Sequence, residues 1–224
     1  MTKLQSIKIK DVVKEIADNR GKNPPYYSDK GIPVIDNFMI KNDKYINLHE
    51  AKRFLDETVY NDFVRTYINK GDILITLVGN GFGNVSLAPD IKSAIIQNTI
   101  ALKVNDKKIN NEYLYYYLKL YRGKVLNLNR GSAQPSIKVS DLMSIKIEVP
   151  NLENQKKIVK ILSIYDDLIK NNLDKIKYLT KISNLLFKNF FFKKTKDGKS
   201  LEFYKKKKFT KRVERKRYLI FSFI

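Results

Sequence analysis

The spacing of apolar positions changes character near residue 150. Before that point apolar residues come in short runs and alternations, the mark of strands and brief helices. Leu4–Ile9 alternates and predicts a strand that runs into a short helix over Asp11–Ile16. Ile32-Pro33-Val34-Ile35 predicts a buried strand whose proline sits near its start, where a ladder tolerates one. Residues 50–68 are ambiguous in pattern, with a short helix over Glu57–Tyr67 as one reading. The turn Lys70-Gly71-Asp72 precedes Ile73–Val78, whose nearly unbroken apolar run predicts a strand covered on both faces. Val85–Leu87, Ala94–Gln97 and Thr99–Val104 continue as short strands. Asn110 or Asn111 is placed to cap a helix through Tyr121, with Leu114, Tyr117, Leu118 and Tyr121 on one side. Ser140-Asp141 begins one helical turn, and Ser144–Val149 is a last strand.

After Pro150 the period changes. No Gly or Pro appears until Gly198, and Ile158, Leu162, Tyr165, Ile169, Asn172, Ile176, Leu179, Ser183, Leu186 and Phe190 follow in steps of four and three. That is the seam of a coiled coil. Asn151 is placed as the N-cap, and Glu153 suits the positive end of the helix dipole. About 40 helical residues would rise roughly 60 Å, more than one small domain needs, so the apolar seam calls for a helical partner. Asn172 on the seam either fixes register or is a tolerated interruption. The expected fold class is a mixed α/β (α+β) domain over 1–150, a long coiled-coil-forming helix over 151–192, and a basic, disordered tail over 193–224.

Charge narrows the choice of partner. The chain carries a formal charge of +21. Residues 193–224 hold 13 Lys/Arg against 3 Asp/Glu, which leaves +11 on the rest. A basic body with a basic tail points to an anionic polymer, nucleic acid ahead of anionic lipid, because the long helix spends its apolar face on a heptad seam. The chain has no cysteine and one histidine, His49, so neither thiolate nor histidine metal sites are expected. No cofactor and no metal is expected. No signal segment or 18-residue apolar run is visible, and the expectation is a cytoplasmic chain with no membrane partner.

Two motifs suggest an enzyme. Asn23-Pro24-Pro25-Tyr26 spells the motif with which N6-adenine methyltransferases hold their target base, and Gly79-x-Gly81-x-Gly83 follows a strand as a cofactor loop would. The context argues otherwise. The first should close a buried strand, yet residues 17–22 are polar and contain Gly21. The second should open a helix, yet it leads to Ser86-Leu87-Ala88-Pro89.

The ordered set resembles a known family. A Gly71-Asp72-Ile73-Leu74-Ile75-Thr76 strand leads to the glycine loop and a Gln97-Asn98 pair. Ser132-Ala133-Gln134-Pro135-Ser136, a short turn and the strand Ile145–Val149 follow. Pro150-Asn151-Leu152-Glu153-Asn154-Gln155 then opens a helix with Ile158, Leu162 and Asp166. In order and spacing this resembles the specificity subunit of type I restriction–modification systems, over roughly residues 4–192. The resemblance implies a target recognition domain joined to a long spacer helix, a non-catalytic chain that reads double-stranded DNA, and docking of methyltransferase and restriction subunits. Such subunits usually carry two units in tandem; one unit here implies pairing with itself or with a second specificity half-subunit through the helix. The rival readings are a stand-alone coiled-coil DNA-binding protein and an N6-adenine methyltransferase fragment.

The resemblance carries over no fixed contact residues, because specificity is what varies. Candidates come from side-chain chemistry: Arg or Lys for phosphate and guanine, Asn or Gln for adenine. Four polar loops supply them. Lys22, Asn23, Tyr26 and Tyr27 lie in the first, and Asn37, Lys41, Asn42 and Lys44 in the second. Asn80, Phe82 and Asn84 lie in the third, and Arg130, Gln134, Ser136 and Lys138 in the fourth. Ile158, Leu162, Tyr165, Ile169, Asn172, Ile176, Leu179 and Leu186 are the candidates for helix pairing.

Overall fold

A computed structural model of the chain describes residues 4–21, 23–79, 81–129 and 135–191. The first half contains β1 (Gln5–Lys8), α1 (Ile9–Val12), β2 (Val13–Ala17), β3 (Ile32–Ile35), β4 (Phe54–Leu55) and α2 (Glu57–Phe63). Then come β5 (Ile73–Thr76), β6 (Val85–Leu87), β7 (Ala94–Ile95), β8 (Thr99–Val104), α3 (Asn111–Leu120) and α4 (Arg122–Leu126). The described chain ends with α5 (Val139–Ser144), β9 (Lys146–Val149) and α6 (Leu152–Phe191), a 40-residue helix. Two 3-10 turns, Asn37–Met39 and Leu48–Glu50, punctuate the second polar loop. The described residues divide into two units, the first ending at Lys170 and the second beginning at Asn171.

The first unit is built on an antiparallel sheet of order β2-β8-β5-β6. Alternation along β5 explains its unbroken apolar run. Ile73 and Ile75 enter a large core with Ile100, Leu102, Leu114, Tyr115 and Ile147, while Leu74 faces a second core with Ile35, Met39, Ile95 and Ala101. Both faces of the sheet are covered, so a polar position on either would have cost desolvation. Each large side chain buried this way stabilises the fold by roughly 1.5–3 kcal/mol. The small sheet β4-β3-β7 stands beside it, with β3 and β7 parallel, over a third core of Val34, Leu55, Val59 and Tyr60. β1 and β9 pair antiparallel, Gln5 opposite Val149.

The structure departs from the sequence reading at four places. Residues 13–16, expected as the end of a helix, belong to β2. Consecutive β-branched Val12 and Val13 weaken a helix, and β8 offers a ladder in which Val13 pairs with Val104 and Ala17 with Ala101. The two-residue β4 is too short for any periodicity to reveal, and α4 contains Gly123, which lowers helix propensity. Tyr121 leaves the helical conformation as the cap of α3 and stands exposed, while Tyr115 takes the fully buried place.

The caps expected from sequence form. Asn110 Oδ1 accepts the Tyr113 amide at 3.0 Å and Asn151 Oδ1 accepts the Asn154 amide at 2.9 Å. Buried Asn19 is saturated: its Oδ1 accepts the amides of Arg65 and Thr66, and its Nδ2 donates to the carbonyls of Thr66 and Ile95. It ties the loop after β2 to the stretch before β5.

Candidate nucleic-acid interface

The polar loops come from separate stretches, and the topology gathers them. Thr76, the last residue of β5, lies opposite Thr99, the first of β8, and Ala17, the last of β2, lies opposite Ala101. One end of the main sheet therefore carries the loop after β2, the glycine loop between β5 and β6, and the corner before β8. The chain before α5 joins the same end, because Val78 forms a bridge with Ser136 and the Gly79 amide donates to the Pro135 carbonyl at 3.0 Å. The second loop runs alongside β6, Tyr45 bridging to Leu87.

The glycine loop is a tight turn braced from below. The Gly83 amide returns to the Thr76 carbonyl at 2.7 Å, and the Phe82 carbonyl accepts Arg122 Nη2 of α4 at 2.9 Å. Gly83 has φ +76°, and a Cβ there would sit 3.1 Å from Leu126 Cδ2. Any side chain would strain the turn, and its Cβ would press on Leu126 of α4. Phe82 packs against the main core.

A second lock joins this loop to the one before it. Asn42 holds φ at +65°; its Nδ2 donates to Asn84 Oδ1 at 2.9 Å and its Oδ1 accepts the Val85 amide at 2.9 Å. Asn84 Nδ2 donates in turn to the Ile40 carbonyl. These two amides shape the loops. Lys44 is buried, its ammonium 2.8 Å from Glu112 Oε2 of α3. The burial of Lys44 turns this candidate phosphate contact into an internal tie. Lys41 is exposed and pairs with Glu50 at 2.5 Å, which holds the Glu50 carboxyl below its ordinary range. Asn37 is half-buried in its 3-10 turn.

In the first loop, Asn23 Oδ1 accepts a hydrogen bond from Gln97 Nε2. Tyr26 is exposed and donates to Asp56 Oδ2 at 2.7 Å. That bond raises the Tyr26 phenol, while the Val59 amide at the start of α2 holds Asp56 below the usual carboxylate range. The Tyr27 ring lies 4.7 Å from the Arg53 guanidinium, which also donates to its hydroxyl and pairs with Asp36; burial raises the Tyr27 phenol. Asn-Pro-Pro-Tyr starts six residues beyond β2, not at a strand end. In the fourth loop Ser136 is half-buried, with its amide on Asn129 Oδ1, and Lys138 is exposed just before α5. Lys22, Asn80, Arg130 and Gln134 lie outside the described residues, as does the expected tail.

Sequence reasoning did not single out the corner itself as a contact site. Gln97 and Asn98 are consecutive non-glycine residues in the left-handed region, φ +50° and +46°. Such backbone costs on the order of 1–3 kcal/mol per residue and clusters at functional sites. The corner is tied to the sheet end through the Leu77 amide, which donates to the Asn98 carbonyl at 2.6 Å. The amide-bearing pair was visible as a motif; its strain was not.

Helix α6 begins packed on the first unit. Gln155 is buried, accepting the Asn110 amide and donating to the Pro150 carbonyl, both at 2.8 Å. Beyond it the helix shows its apolar side chains to solvent. Ile158, Leu162, Tyr165 and Ile169 are exposed in the first unit. Ile176, Leu179 and Leu186 are exposed in the second, and so is Asn172. No helix among the described residues is long and apolar enough to cross a membrane.

Comparison with known proteins fits this architecture. The sequence profile of the type I restriction modification DNA specificity domain matches residues 1–181. The chain is 30% identical over 195 residues to the type I restriction enzyme MjaIX specificity subunit of Methanocaldococcus jannaschii, covering 80% of this chain and 42% of that protein. It is 29% identical to the MjaVIII specificity subunit of the same organism, over 88% of this chain and 44% of that one. The chain thus spans less than half the length of these relatives. Among solved structures, the S subunit of a type I restriction-modification system from M. genitalium superposes with a TM-score of 0.65 at 17% identity, over 85% of this chain and 46% of that one. The HsdS subunit of Thermoanaerobacter tengcongensis gives 0.54 at 18%, over 79% and 39%. A mixed α/β unit followed by a long helix, matched by the family profile over most of its length, makes this chain a member of the type I restriction–modification specificity subunit family.

Proposed function

We propose that the chain is a non-catalytic DNA-recognition unit that reads one part of a target sequence with the loops at the end of the main sheet. The observation that carries this reading is the convergence of loops from four distant stretches, rich in Asn, Gln, Lys and aromatic side chains, on one sheet end. Lysine and arginine contacts to phosphate supply most of the affinity, and amide side chains at the rim discriminate bases in a groove. Tyr26, Lys41, Asn98 and Lys138 are the described side chains best placed to touch DNA. Lys44, Asn42 and Asn84 shape the surface from within.

The exposed apolar face of α6 serves association. A soluble chain rarely leaves so many large side chains open without a partner, and their steps of four and three suit a coiled coil. The partner is a second copy or a related half-subunit, and the paired helices carry methyltransferase and restriction subunits. A symmetric pair would read an inverted, split site.

Selection of the full chain on a random duplex pool at about 0.15 M salt tests the reading. A sequence motif, split and inverted if the chain pairs with itself, is expected. Recovery of unenriched DNA after several rounds, bound with a steep salt dependence, would reduce the protein to a basic chain with unspecific affinity.

A further inference from the structure

Two aspartates in consecutive positions on α6 receive two tyrosines from different elements of the recognition unit. Tyr116 of α3 donates its hydroxyl to Asp166 Oδ2 at 2.6 Å, and Tyr45 of the second loop donates to Asp167 Oδ1 at 2.5 Å. Consecutive helical side chains diverge by about 100°, so the two bonds grip the helix from two directions. Rotation about the helix axis would lengthen at least one of them. The Lys170 ammonium lies 5.6 Å from the Tyr45 ring and adds a third contact one turn on. Gln155 holds the helix about three turns earlier through Asn110 and Pro150. Fixing a helix at both ends of a stretch sets its tilt as well as its rotation.

The tyrosines are themselves fixed. Tyr116 packs edge-on against Tyr115 at 5.0 Å, and Tyr115 is fully buried with its hydroxyl on the Asn42 carbonyl at 3.2 Å. Tyr45 follows Lys44, which is tied to Glu112, and stands three residues after Asn42, which is locked to Asn84 of the glycine loop. An unbroken set of bonded residues therefore runs from the glycine loop to Asp167. The bonds are also durable against titration: burial and the neighbouring carboxylates push both phenols well above their ordinary range, so both stay protonated donors at physiological pH.

We propose that Tyr45 and Tyr116 are positioning residues that fix the rotation and tilt of the first part of α6, up to Lys170, within the recognition unit, and so help to set the number of base pairs separating the two parts of the target read by a paired assembly. This rests on the DNA-recognition reading above. The rotation of this part of α6 decides which way Ile158, Leu162, Tyr165 and Ile169 face, and that direction decides how a partner helix, with its own recognition unit, is held. A loosened joint would let one assembly accept several separations while each unit still reads the same bases.

The experiment compares the full chain with the Y45F/Y116F variant in two measurements. Both are first selected on a duplex pool carrying random bases and variable spacing. The wild type is expected to enrich one spacing; the variant should enrich the same bases with at least two spacings, the favoured one losing roughly tenfold of its preference, about 1.4 kcal/mol. In the wild-type background D166N/D167N, which keeps a carbonyl acceptor for each hydroxyl, should retain the single spacing, and D166A/D167A should lose it. A Y45F/Y116F chain that keeps both the bases and one spacing overturns the inference, while a wild type that enriches no motif overturns the underlying recognition reading and the inference with it. The second measurement needs no DNA. Because the chain has no cysteine, spin labels on Lys30→Cys and Lys160→Cys report the helix position directly. A single narrow distance is expected, broadened in Y45F/Y116F; equal widths would also overturn the proposal.

Discussion

Asn42 and Asn84 face each other side chain to side chain: Nδ2 of the first donates to Oδ1 of the second at 2.9 Å, and each amide goes on to satisfy a backbone group of the other's loop. The pair holds the second and third polar loops in one shape. Asn42 also supplies its own positive φ, which asparagine tolerates better than most residues. Replacing Asn84 with Ala strands the Asn42 amide and the Ile40 carbonyl. We expect Asn84→Ala to lower unfolding free energy by ~1–3 kcal/mol, read from urea denaturation, and to weaken binding to a selected duplex. Unchanged stability would show that water replaces the lock at no cost.

Lys44 is the second case in which a residue suited to DNA works inside the fold. Its ion pair with Glu112 is buried at the ammonium and half-open at the carboxylate. Lys44→Ala removes one partner of the pair and should cost ~2 kcal/mol, less than a fully buried pair because solvent reaches Glu112. The salt slope of DNA binding should not change. Loss of about one phosphate's worth of slope would return Lys44 to the interface.

Asp72 gives a pH prediction with a definite sign. Burial pushes its carboxyl above the ordinary value, while the Asn69 amide, bound at 2.7 Å, acts against that shift. A raised folded value means that the ionised form is disfavoured on folding. The penalty is fully present above the folded value and disappears as the pH falls below the unfolded one, about 3.9. Asp72→Asn keeps an acceptor for Asn69 without the charge. It should stabilise by up to ~1 kcal/mol at pH 7, with the advantage vanishing toward pH ~3.5 in a series of melts. A difference that grows at low pH would contradict this.

The apolar stripe of α6 predicts a separable phenotype. Ile169 is more than half exposed, so Ile169→Asp should leave the stability of the recognition unit within ~0.5 kcal/mol while abolishing association in sedimentation equilibrium. Asn172→Leu should tighten association and admit more than one register. Identical sedimentation of wild type and Ile169→Asp would remove this stripe as the pairing surface.

The fold was legible where local chemistry decides it. β3 and β8 fall on the residues their apolar runs indicate, and the caps Asn110 and Asn151 begin their helices as their side chains allow. β2 was misread because Val13–Ala17 takes its conformation from β8, almost ninety positions away. The site was legible only as a set of loops. Which asparagines point outward depends on pairs such as Asn42 with Asn84, 42 positions apart, and Tyr45 with Asp167, 122 apart. No periodicity carries such partnerships, and an interior lysine looks the same in a sequence as one waiting for a phosphate.

The end of the main sheet is the surface we propose to meet DNA. Amide hydrogen exchange of the full chain, with and without a selected duplex, tests it most directly. Protection is predicted in peptides covering Asn23–Tyr27, the glycine loop, Gln97–Asn98 and Pro135–Lys138, and weakly or not at all in β1 and β9. Protection confined to α6 or to residues 193–224, with these loops unchanged, would contradict the account.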